Sequence, residues 1–444
     1  MHQYTRKEIL RMVEEEDVGF IRLQFTDIFG TMKNMAITVS QLERALDSGC
    51  MFNASAIEGF TEPGEETDLY LDPDLDTFEI FPWRPQQGKV ARLICDVYRP
   101  DGTPLECDPR NVLKNVIRET EEMGYTLNVG PECEFFLFHL DDDGLPTTIT
   151  HEQGGYFDVG PLDFGENARR DIVLTLEDMG FEIEESHHEI APAQHEIDFR
   201  FGEALETADN IMTLKMVVKT IAKRHGLHAT FMPKPKKECH GSGMHMNLSL
   251  WKNGKNIFSD EQDENGLSKD AYYFLGGLMK HMKAITCIAN PTINSYKRLV
   301  PGYEAPVYIT WSKKMPAPLI RIPARTGERT RLELRSPDPS ANPYLTIAVL
   351  LAAGMEGIKQ KIEPMPSVDK NAQTMTEQER AALQIETLPR NLQQAVCELE
   401  QDELIRNVLG EKLAAKLIAA HKKAYDDYCM QVTDWEIENY LHRL

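Results

Sequence analysis

Four segments of the chain alternate, so that charged or ligand-bearing side chains share one face and apolar side chains share the other. Their polar faces carry Glu132 and Glu134; Glu196, Asp198 and Arg200; His245, Asn247 and Ser249; and Arg331, Glu333 and Arg335. A side-chain period of two predicts a β-strand in each segment. Each one alone is most simply a half-exposed strand. Together they predict one sheet with a face that is rich in charged and ligand-bearing side chains.

The pair Glu132 and Glu134 is the most demanding part of that face. Two carboxylates that point the same way from one strand repel each other. A solvated strand face would account for the pair. A divalent cation would account for it too, because it removes the repulsion and prefers hard oxygen ligands.

Further candidate ligands come from residues 186–196, which read SHHEIAPAQHE. Pro192 favours a turn, and we expect the turn to fold Glu189 back beside Glu196. The full candidate set is then Glu132, Glu134, Glu189, Glu196, Glu333 and His245. Oxygen ligands with a single imidazole favour Mg²⁺ or Mn²⁺ over zinc, and the set is large enough for two sites.

Arginines in the same half of the chain add positive charge. They are Arg298, Arg321, Arg331 and Arg335. Phosphoryl transfer depends mostly on positioning and charge stabilisation, so cations and arginines together favour that chemistry. The sequence has no GxxxxGK[ST] or GxGxxG loop, so any nucleotide would bind in neither the P-loop nor the Rossmann manner.

The charge balance excludes other classes of function. With 48 basic and 71 acidic residues the net charge is −23, which repels nucleic acid and anionic membranes. No apolar run is long enough to cross a bilayer, and the start of the sequence lacks the apolar core of a signal peptide. The eight cysteines show no CxxC spacing, which fits reduced thiols. We therefore expect a cytoplasmic protein.

The order of predicted elements divides the chain into two domains. Residues 1–103 predict a small α+β unit that ends at the turn Asp101-Gly102-Thr103-Pro104. Asp108 and Pro109 then predict a helix start, which opens a second domain at 108–444. Within it the pattern predicts helices over 109–123, 167–179, 207–225, 268–289, 342–360 and 388–442.

These residues resemble the glutamine synthetase family in its shorter bacterial form, from about residue 16 to the C-terminus. The resemblance is carried by the stretches 128–138, 182–199, 215–234, 241–250, 290–306 and 332–344, which are far longer than any short motif. It implies an α+β fold with a β-grasp-like N-terminal domain and a catalytic domain built on a curved antiparallel sheet surrounded by helices. It also implies a homo-oligomer of two stacked hexameric rings with active sites between neighbouring subunits.

The resemblance implies roles for individual residues as well. Glu134, Glu189 and Glu196 would hold one metal ion, and Glu132, His245 and Glu333 the other. Arg298, Arg321, Arg335, Gly241 and the flap residue Glu304 would act on glutamate and phosphate. His187 would face the transferred phosphate, and we assign Asn247, Ser249 and Arg331 to the nucleotide with it.

Several residues depart from the family pattern. Asn53 replaces the aspartate that attracts and deprotonates ammonium, and Ala56 replaces a serine. His240 stands where the family has an asparagine, and Pro316 stands where it has an arginine. Glu62 lies near the position at which the shorter form has an arginine tied to feedback inhibition by glutamine. An amide cannot act as a base, and losing a general base costs roughly 10²–10⁴-fold in rate.

The resemblance implies an ATP-dependent ligase that joins ammonia to the γ-carboxylate of glutamate through a γ-glutamyl phosphate, with Mg²⁺ or Mn²⁺. The departures leave alternatives open. One is a γ-glutamyl ligase for a larger amine. Another is a weakly active, nucleotide-binding paralogue with a regulatory or assembly role. Compensated drift, with Lys313 or Lys314 serving for the arginine missing at Pro316, would leave the family activity unchanged.

Overall fold

The computed structural model describes residues 4–62, 64–84, 87–324 and 327–444, which form two sheets and their surrounding helices. The first sheet contains β1 Val18–Thr26, β2 Met32–Thr38, β3 Cys50–Asn53, β4 Asp68–Pro73, β5 Glu79–Ile80 and β6 Lys89–Tyr98. Its strand order is β2-β1-β6-β4-β3, with β5 also on β6, and only the β1–β6 pair is parallel. Helices α1 Arg6–Glu15 and α2 Leu42–Ser48 pack against it.

The second sheet is larger and is almost entirely antiparallel. Its strands are β7 Thr126–His139, β8 Ile183–His188, β9 Gln194–Phe199, β10 Gly202–Glu203, β11 Leu227–Thr230, β12 Met244–Lys252, β13 Lys255–Asn256, β14 Trp311–Ser312, β15 Ile320–Arg321 and β16 Leu332–Leu334. The order along its main path is β14-β15-β16-β12-β7-β9-β8. The four segments predicted from their alternation are therefore neighbours in one sheet, although residue 331 lies just before β16.

Further helices accompany the strands of this sheet along the chain. They are α3 Pro109–Glu122, α4 Glu166–Asp178, α5 Ala204–Arg224, α6 Lys269–Ala289, α7 Ser295–Arg298, α8 Pro343–Gln360, α9 Glu377–Ala382, α10 Leu392–Gln401, α11 Glu403–Leu409, α12 Glu411–Cys429 and α13 Asp434–Tyr440. Among them, α3, α4 and α5 pack directly against the sheet. Five of the predicted helices begin and end within a few residues of the expected positions. No helix in the described ranges is long and apolar enough to cross a membrane.

The segment 388–442, predicted to be helical, is largely helical and forms four separate helices. Asp402 caps the start of α11, and Gly410, with a φ of 77°, separates α11 from α12. Leu388 is buried but precedes the first of these helices. The apolar stripe records a buried face that continues through each change of direction, so periodicity alone did not reveal the breaks.

Glycines permit the closest helix packing in the core, which is between α6 and α8. A Cβ on Gly277 would lie 2.1 Å from the carbonyl oxygen of Ala353, and one on Gly357 would lie 2.0 Å from that of Tyr273. Both distances are far inside van der Waals contact, so the two helices can approach this closely only without side chains there.

Polar contacts join the two sheets. Asp108 caps α3 by accepting from the backbone N–H of Arg110, and its other oxygen accepts from the N–H of Val97 on β6. The Arg110 side chain binds Asp74 and Asp96, which lie after β4 and on β6 of the first sheet, and Asp209, which lies on α5 beside the second sheet. The smaller sheet is therefore fixed against the larger one by buried ion pairs as well as by apolar packing.

Candidate active site

The register of the second sheet brings the predicted ligands together. His245 pairs with Glu132 and Glu196 pairs with Glu134 across neighbouring strands. Directly paired residues of antiparallel strands point to the same face, so the side chains from β7, β9 and β12 converge there. Glu333 on β16 and His187 on β8 extend the row at its two ends.

The converging residues line a cleft of about 480 Å³. Its wall contains Glu132, Glu134, His187, Glu189, Glu196, Gly241, His245, Arg298, Glu304, Arg321, Glu333 and Arg335 from the predicted set. The turn after Pro192 brings Glu189 beside Glu196, which confirms that local prediction. The cleft thus collects residues from positions 132 to 335 of the chain.

One group of possible metal ligands consists of Glu132, His245 and Glu333. The Nδ1 atom of His245 lies 2.9 Å from an oxygen of Glu132 and 4.0 Å from one of Glu333. Burial, together with the charge of Arg335, lowers the pKa of His245. The imidazole is therefore neutral at physiological pH, which is the form that can bind a metal ion.

The second group consists of His187, Glu189 and Glu196, with Glu134 beside them. The imidazole nitrogens of His187 lie 3.7 Å from Glu189 and 3.9 Å from Glu196. Burial and the charge of Glu189 raise the pKa of Glu134 to about 8. Burial and the neighbouring carboxylates, Asp198 first, also raise the pKa of Glu196.

Both groups fit divalent cations. The carboxylates of the second group are buried close to one another, and this like-charge crowding opposes ionisation. A hard cation bound between them reverses the effect, because it stabilises the ionised form. The donor set of oxygens with one imidazole in each group is the kind that Mg²⁺ and Mn²⁺ accept.

Two arginines adjoin these groups and share one carboxylate. Arg321 donates to one oxygen of Glu333 at 2.9 Å, and Arg335 binds the other oxygen. The Nε atom of Arg335 is buried and has no hydrogen-bond partner among the described residues. Arg335 lines the cleft, and an arginine there is suited to an anionic ligand, because charged groups make the strongest hydrogen bonds.

Arg298 is engaged differently from the prediction that placed it on substrate. Its two terminal nitrogens donate to the backbone carbonyls of Ser336 and Arg335, at 2.8 and 3.0 Å. A Cβ on Gly243 would lie 2.6 Å from the same guanidinium, so the glycine loop and the strand end pack on Arg298. In this structure the residue fixes the segment that carries Arg335, and its contact with substrate stays a prediction.

Of the residues assigned to the nucleotide, only His187 lines the cleft. Asn247 donates to Glu132 at 2.8 Å and accepts from Nε of Arg331 at 2.8 Å. Ser249, further along β12, accepts from the indole of Trp251. A polar line therefore leads along the strand away from the ligand group at Glu132.

The departures from the family pattern fall in two places. His240 and Pro316 line the cleft, where the His240 ring packs edge-on against Tyr303 at 5.4 Å. Asn53 is exposed at the end of β3 and does not line this cleft; its amide donates to Thr67, and its oxygen accepts from Ser55. The exposed Ala56 follows it in the same loop.

Glu62, on the smaller domain, binds Lys416 of α12 at 3.2 Å. The reversed charge relative to the family's arginine therefore has a partner within the chain. This contact explains how the fold accommodates Glu62.

Sequence reasoning missed Gln194 and Glu185, and it left Asp198 without a role. Gln194 donates to Glu134 at 2.8 Å, and Glu185, His187 and Asp198 form a further cluster of possible ligands. All of them are in phase with the predicted ligands on β8 and β9, so strict use of the period of two could have found them.

Two groups of cation ligands beside arginines in one cleft define the class of this protein as a metal-dependent enzyme that handles anionic groups. Comparisons with known proteins specify the family. A model of the glutamine synthetase catalytic domain matches residues 106–440, and a model of the glutamine synthetase β-grasp domain matches residues 17–100.

Individual relatives match along the whole chain. A glutamine synthetase of Clostridium saccharobutylicum is 59% identical over 443 residues, which cover 100% of both chains. A glutamine synthetase of Staphylococcus aureus strain N315 is 53% identical over 439 residues, covering 99% of this chain and 98% of the relative.

Solved structures match as well. A structure described as a GmaS/ADP complex has a TM-score of 0.88 at 34% identity, covering 98% of this chain and 99% of the other. The cryo-EM structure of Plasmodium falciparum glutamine synthetase has a TM-score of 0.88 at 26% identity, covering 99% of each chain.

The chain belongs to the glutamine synthetase family. The predicted family, the α+β fold class with its β-grasp domain and the glutamine synthetase type of ligase are confirmed. Membership implies ATP, a divalent metal, glutamate and ammonia as reactants or cofactors, and an oligomer. The exact domain boundaries and the roles of individual site residues stay predictions.

Proposed function

We propose that this protein catalyses the ATP-dependent joining of ammonia to glutamate, with Mg²⁺ or Mn²⁺ bound at the two ligand groups of the cleft. ATP would phosphorylate the γ-carboxylate of glutamate, and ammonia would then displace phosphate. The observation that carries the proposal is the meeting of two buried ligand groups with the Arg321–Arg335 pair in one cleft.

Glu134, Glu189 and Glu196 would hold one cation, and Glu132, His245 and Glu333 the other. Bound there, the cations would neutralise phosphate oxygens and orient the transferred group. The crowded carboxylates of β7 and β9 support the first assignment, and the neutral imidazole of His245 supports the second.

Arg321 and Arg335 would stabilise the negative charge that develops on the transferred phosphoryl group. Arginine presents several N–H donors in a planar fork that matches carboxylate and phosphate oxygens. Both guanidinium groups already bind a carboxylate, that of Glu333, and both residues line the cleft. Because these donors are held in place before substrate arrives, little reorganisation accompanies the reaction.

Glutamate would lie between Gly241 and Glu304, at the side of the cleft where Tyr303 and His240 form the wall. Gly241 allows close approach, since a Cβ there would lie 2.3 Å from the carbonyl oxygen of Pro233. Glu304 would close over the acyl phosphate and keep out water that would otherwise hydrolyse it. Arg298 would act on glutamate mainly by holding the segment of Arg335.

ATP would extend from His187 along the polar line of Asn247, Ser249 and Arg331. The GmaS structure was solved with ADP, which supports a nucleotide in a protein of this fold. We further propose two stacked hexameric rings, in which Asn53 from one subunit approaches the cleft of a neighbour. The eight free cysteines support a cytoplasmic location.

The acceptor is the point at which a second function has specific support. The side chain of Asn53 is uncharged and is held by Thr67 and Ser55, so it would attract ammonium less than an aspartate would. Losing one charge about 4 Å from a cation removes roughly 1–4 kcal/mol of attraction. A larger, less polar amine would lose less from this change, which is the basis for a γ-glutamyl ligase as the alternative.

Phosphate release measured with glutamate, ATP, Mg²⁺ or Mn²⁺ and a panel of amines tests the proposal. The expected result is the highest kcat/KM with ammonia. A higher value with an alkylamine or polyamine would move the assignment to a γ-glutamylamine ligase. ATP binding without turnover for any amine would instead indicate a binding or regulatory protein.

Asn53→Asp tests the account of the amine pocket. Restoring the acid is expected to raise ammonia-dependent kcat/KM, by up to the roughly 10²–10⁴-fold that a general base contributes. Asn34→Asp is the matched control, because Asn34 is also exposed on the first sheet and the substitution adds the same charge. Equal effects of the two variants would rule out a specific role for position 53.

A further inference from the structure

The hairpin of β8 and β9 is polar on both faces. Its front face carries His187 and Glu196, which line the cleft, and its back face carries His188 and His195, which are fully buried. Behind the hairpin these histidines meet Glu152, Asp163 and Arg169, which are buried too. We call these five residues the Glu152 network.

Glu152 is the residue on which the network converges. One carboxylate oxygen accepts from Nε2 of His188 at 2.6 Å and from the backbone N–H of Ala193. The other accepts from the N–H groups of Phe164 and Gly165, at 2.9 and 3.3 Å. A single carboxylate thus joins the hairpin to the start of α4.

His188 extends this connection to a proposed metal ligand. Its Nδ1 atom lies 2.6 Å from the backbone carbonyl oxygen of Glu189, on the side opposite the bond to Glu152. The imidazole therefore spans from the Glu152 carboxylate to the residue whose side chain lies in the cleft.

The turn that carries Glu189 is held at both ends by these bonds. Ala193 has a φ of 68°, a left-handed conformation that costs a non-glycine residue roughly 1–2 kcal/mol. Its N–H is fixed by Glu152, while its carbonyl accepts from the N–H of Leu137 on β7. The backbone bond from Glu189 to Gln194 also closes the turn, but without the Glu152 carboxylate the strained Ala193 loses the acceptor of its N–H, and Glu189 is held less firmly.

The imidazole rings of His188 and His195 are tightly packed. A Cβ on Gly154 would lie 2.8 Å from Nε2 of His188, and one on Gly165 would lie 2.3 Å from Nε2 of His195. Backbone therefore packs directly on both imidazoles, so they cannot turn without moving it.

Asp163, His188 and His195 lie close enough together to hold a cation, but the Glu152 network does not fit a third cation site. Arg169 already supplies the positive charge, because its guanidinium donates to Asp163 at 2.7 Å and lies 2.8 Å from Nδ1 of His195. A metal ion there would be repelled by this arginine.

We propose that Glu152 and His188 are positioning residues for the cation held by Glu189 and Glu196. The proposal rests on the metal sites assigned above. It predicts a one-sided effect: removing the bonds that Glu152 or His188 makes to the turn of Glu189 lowers affinity at that site and leaves the site of Glu132, His245 and Glu333 unchanged. Outer residues that orient metal ligands typically contribute 10–100-fold in metal affinity.

Manganese binding to the purified, metal-free full-length oligomer tests this directly, with bound and free Mn²⁺ distinguished by electron paramagnetic resonance. Glu196→Gln and His245→Gln each remove a ligand, so the binding step lost in each variant identifies its site. Glu152→Gln is then expected to weaken only the step lost in Glu196→Gln, by 10–100-fold. Saturating Mn²⁺ should bring kcat back to near the wild-type value, which structural damage would not allow.

Glu356→Gln is the matched control, because Glu356 also binds a histidine, His281, at 2.6 Å, but far from the cleft. It should leave both binding steps unchanged. His188→Gln is a second test of the network, with the same one-sided effect expected.

Equal weakening of both sites, no change at either, or failure of both network variants to fold would overturn the proposal, since each would leave the network a purely structural role. If the wild-type protein itself binds no Mn²⁺, the proposed function fails instead. The two failures are therefore distinguishable.

Discussion

The two faces of the β8–β9 hairpin bury acidic groups in opposite ways. On the back face, Asp163 is paired with Arg169 and Glu152 with His188. On the front side, Glu196 of the hairpin and Glu134 of the neighbouring β7 are crowded by other carboxylates, and burial with this crowding raises the pKa of each. In a buried ion pair the attraction offsets the cost of desolvation, whereas unpaired buried charge is costly and is best explained by a ligand of opposite sign.

Arg110 shows the balanced arrangement in a third place. Its guanidinium binds Asp74, Asp96 and Asp209, and Lys114 also binds Asp96, so these carboxylates are paired with cations of the chain itself. The number of carboxylates is similar to that on the front face of the hairpin. The difference is the source of the positive charge. Arg110 and Lys114 supply it here, whereas a bound cation would supply it at the cleft.

The largest expected effect comes from removing a resident cation. Arg110→Met would remove an ion pair from each of three carboxylates, of which Asp96 keeps Lys114, and should lower the free energy of unfolding by about 3–5 kcal/mol. Denaturant unfolding measures the change. A loss below 1 kcal/mol would mean that the carboxylates find other partners or protonate without cost.

Glu134→Gln changes the front face, where the opposite result is expected. Without metal, replacing a crowded carboxylate by a neutral amide relieves repulsion, so the melting temperature in EDTA should rise. Activity should nevertheless fall by about 10²–10³-fold, the effect of removing one preorganised electrostatic group. Calorimetry and phosphate release measure the two effects, and a lower melting temperature would contradict the comparison.

Asp163→Asn tests the back face with the same kind of substitution. Here the amide loses an ion pair with the buried Arg169, so we expect a loss of about 1–3 kcal/mol in the free energy of unfolding. Metal affinity in the cleft should change little, because Asp163 binds Arg169 and is not one of the two network residues, Glu152 and His188, that bond to the turn of Glu189. A variant more stable than wild type would remove the distinction between the faces.

The smallest effect is a pH dependence at His281, whose nitrogens each lie 2.6 Å from a carboxylate, Asp402 or Glu356. Burial alone would lower the pKa of His281, but the two hydrogen bonds and charges outweigh it and raise the pKa above the ordinary 6.5. This stabilisation is complete below about pH 6.5 and is lost as the pH rises through the folded-state pKa.

Melting temperatures of wild type and His281→Gln measure this term. The difference between the two proteins should correspond to about 1–2 kcal/mol near pH 6 and should shrink toward pH 9. A difference that stays constant over that range would show that His281 contributes by packing rather than by charge.

Much of the site followed from local patterns. Alternation at Glu132 and Glu134, at Glu196 and at His245 placed these ligands on one face before any pairing was known. Pro192 indicated the turn that returns Glu189 to Glu196. The helices capped by Asp108 and Asn342 were predicted to within a residue or two of their starts.

Other features depended on contacts between distant parts of the chain. The pairing of Arg298 with the carbonyls of Arg335 and Ser336 has no local signature, and neither has the distance of Asn53 from the cleft of its own chain. The breaks between the C-terminal helices were not predicted, because a buried face can continue through changes of direction.

The sequence by itself determined the family, the two-sheet α+β architecture and the choice of ligand residues, because side-chain periodicity and long matching stretches are properties of the chain alone. The tertiary structure decided which acidic groups have a resident cation. His188 and Glu189 are neighbours in sequence, yet one imidazole is fixed by Glu152, 36 residues away, and the other side chain lies in the cleft. Charge balance is set by what packs within a few ångströms, and only folding brings those groups together.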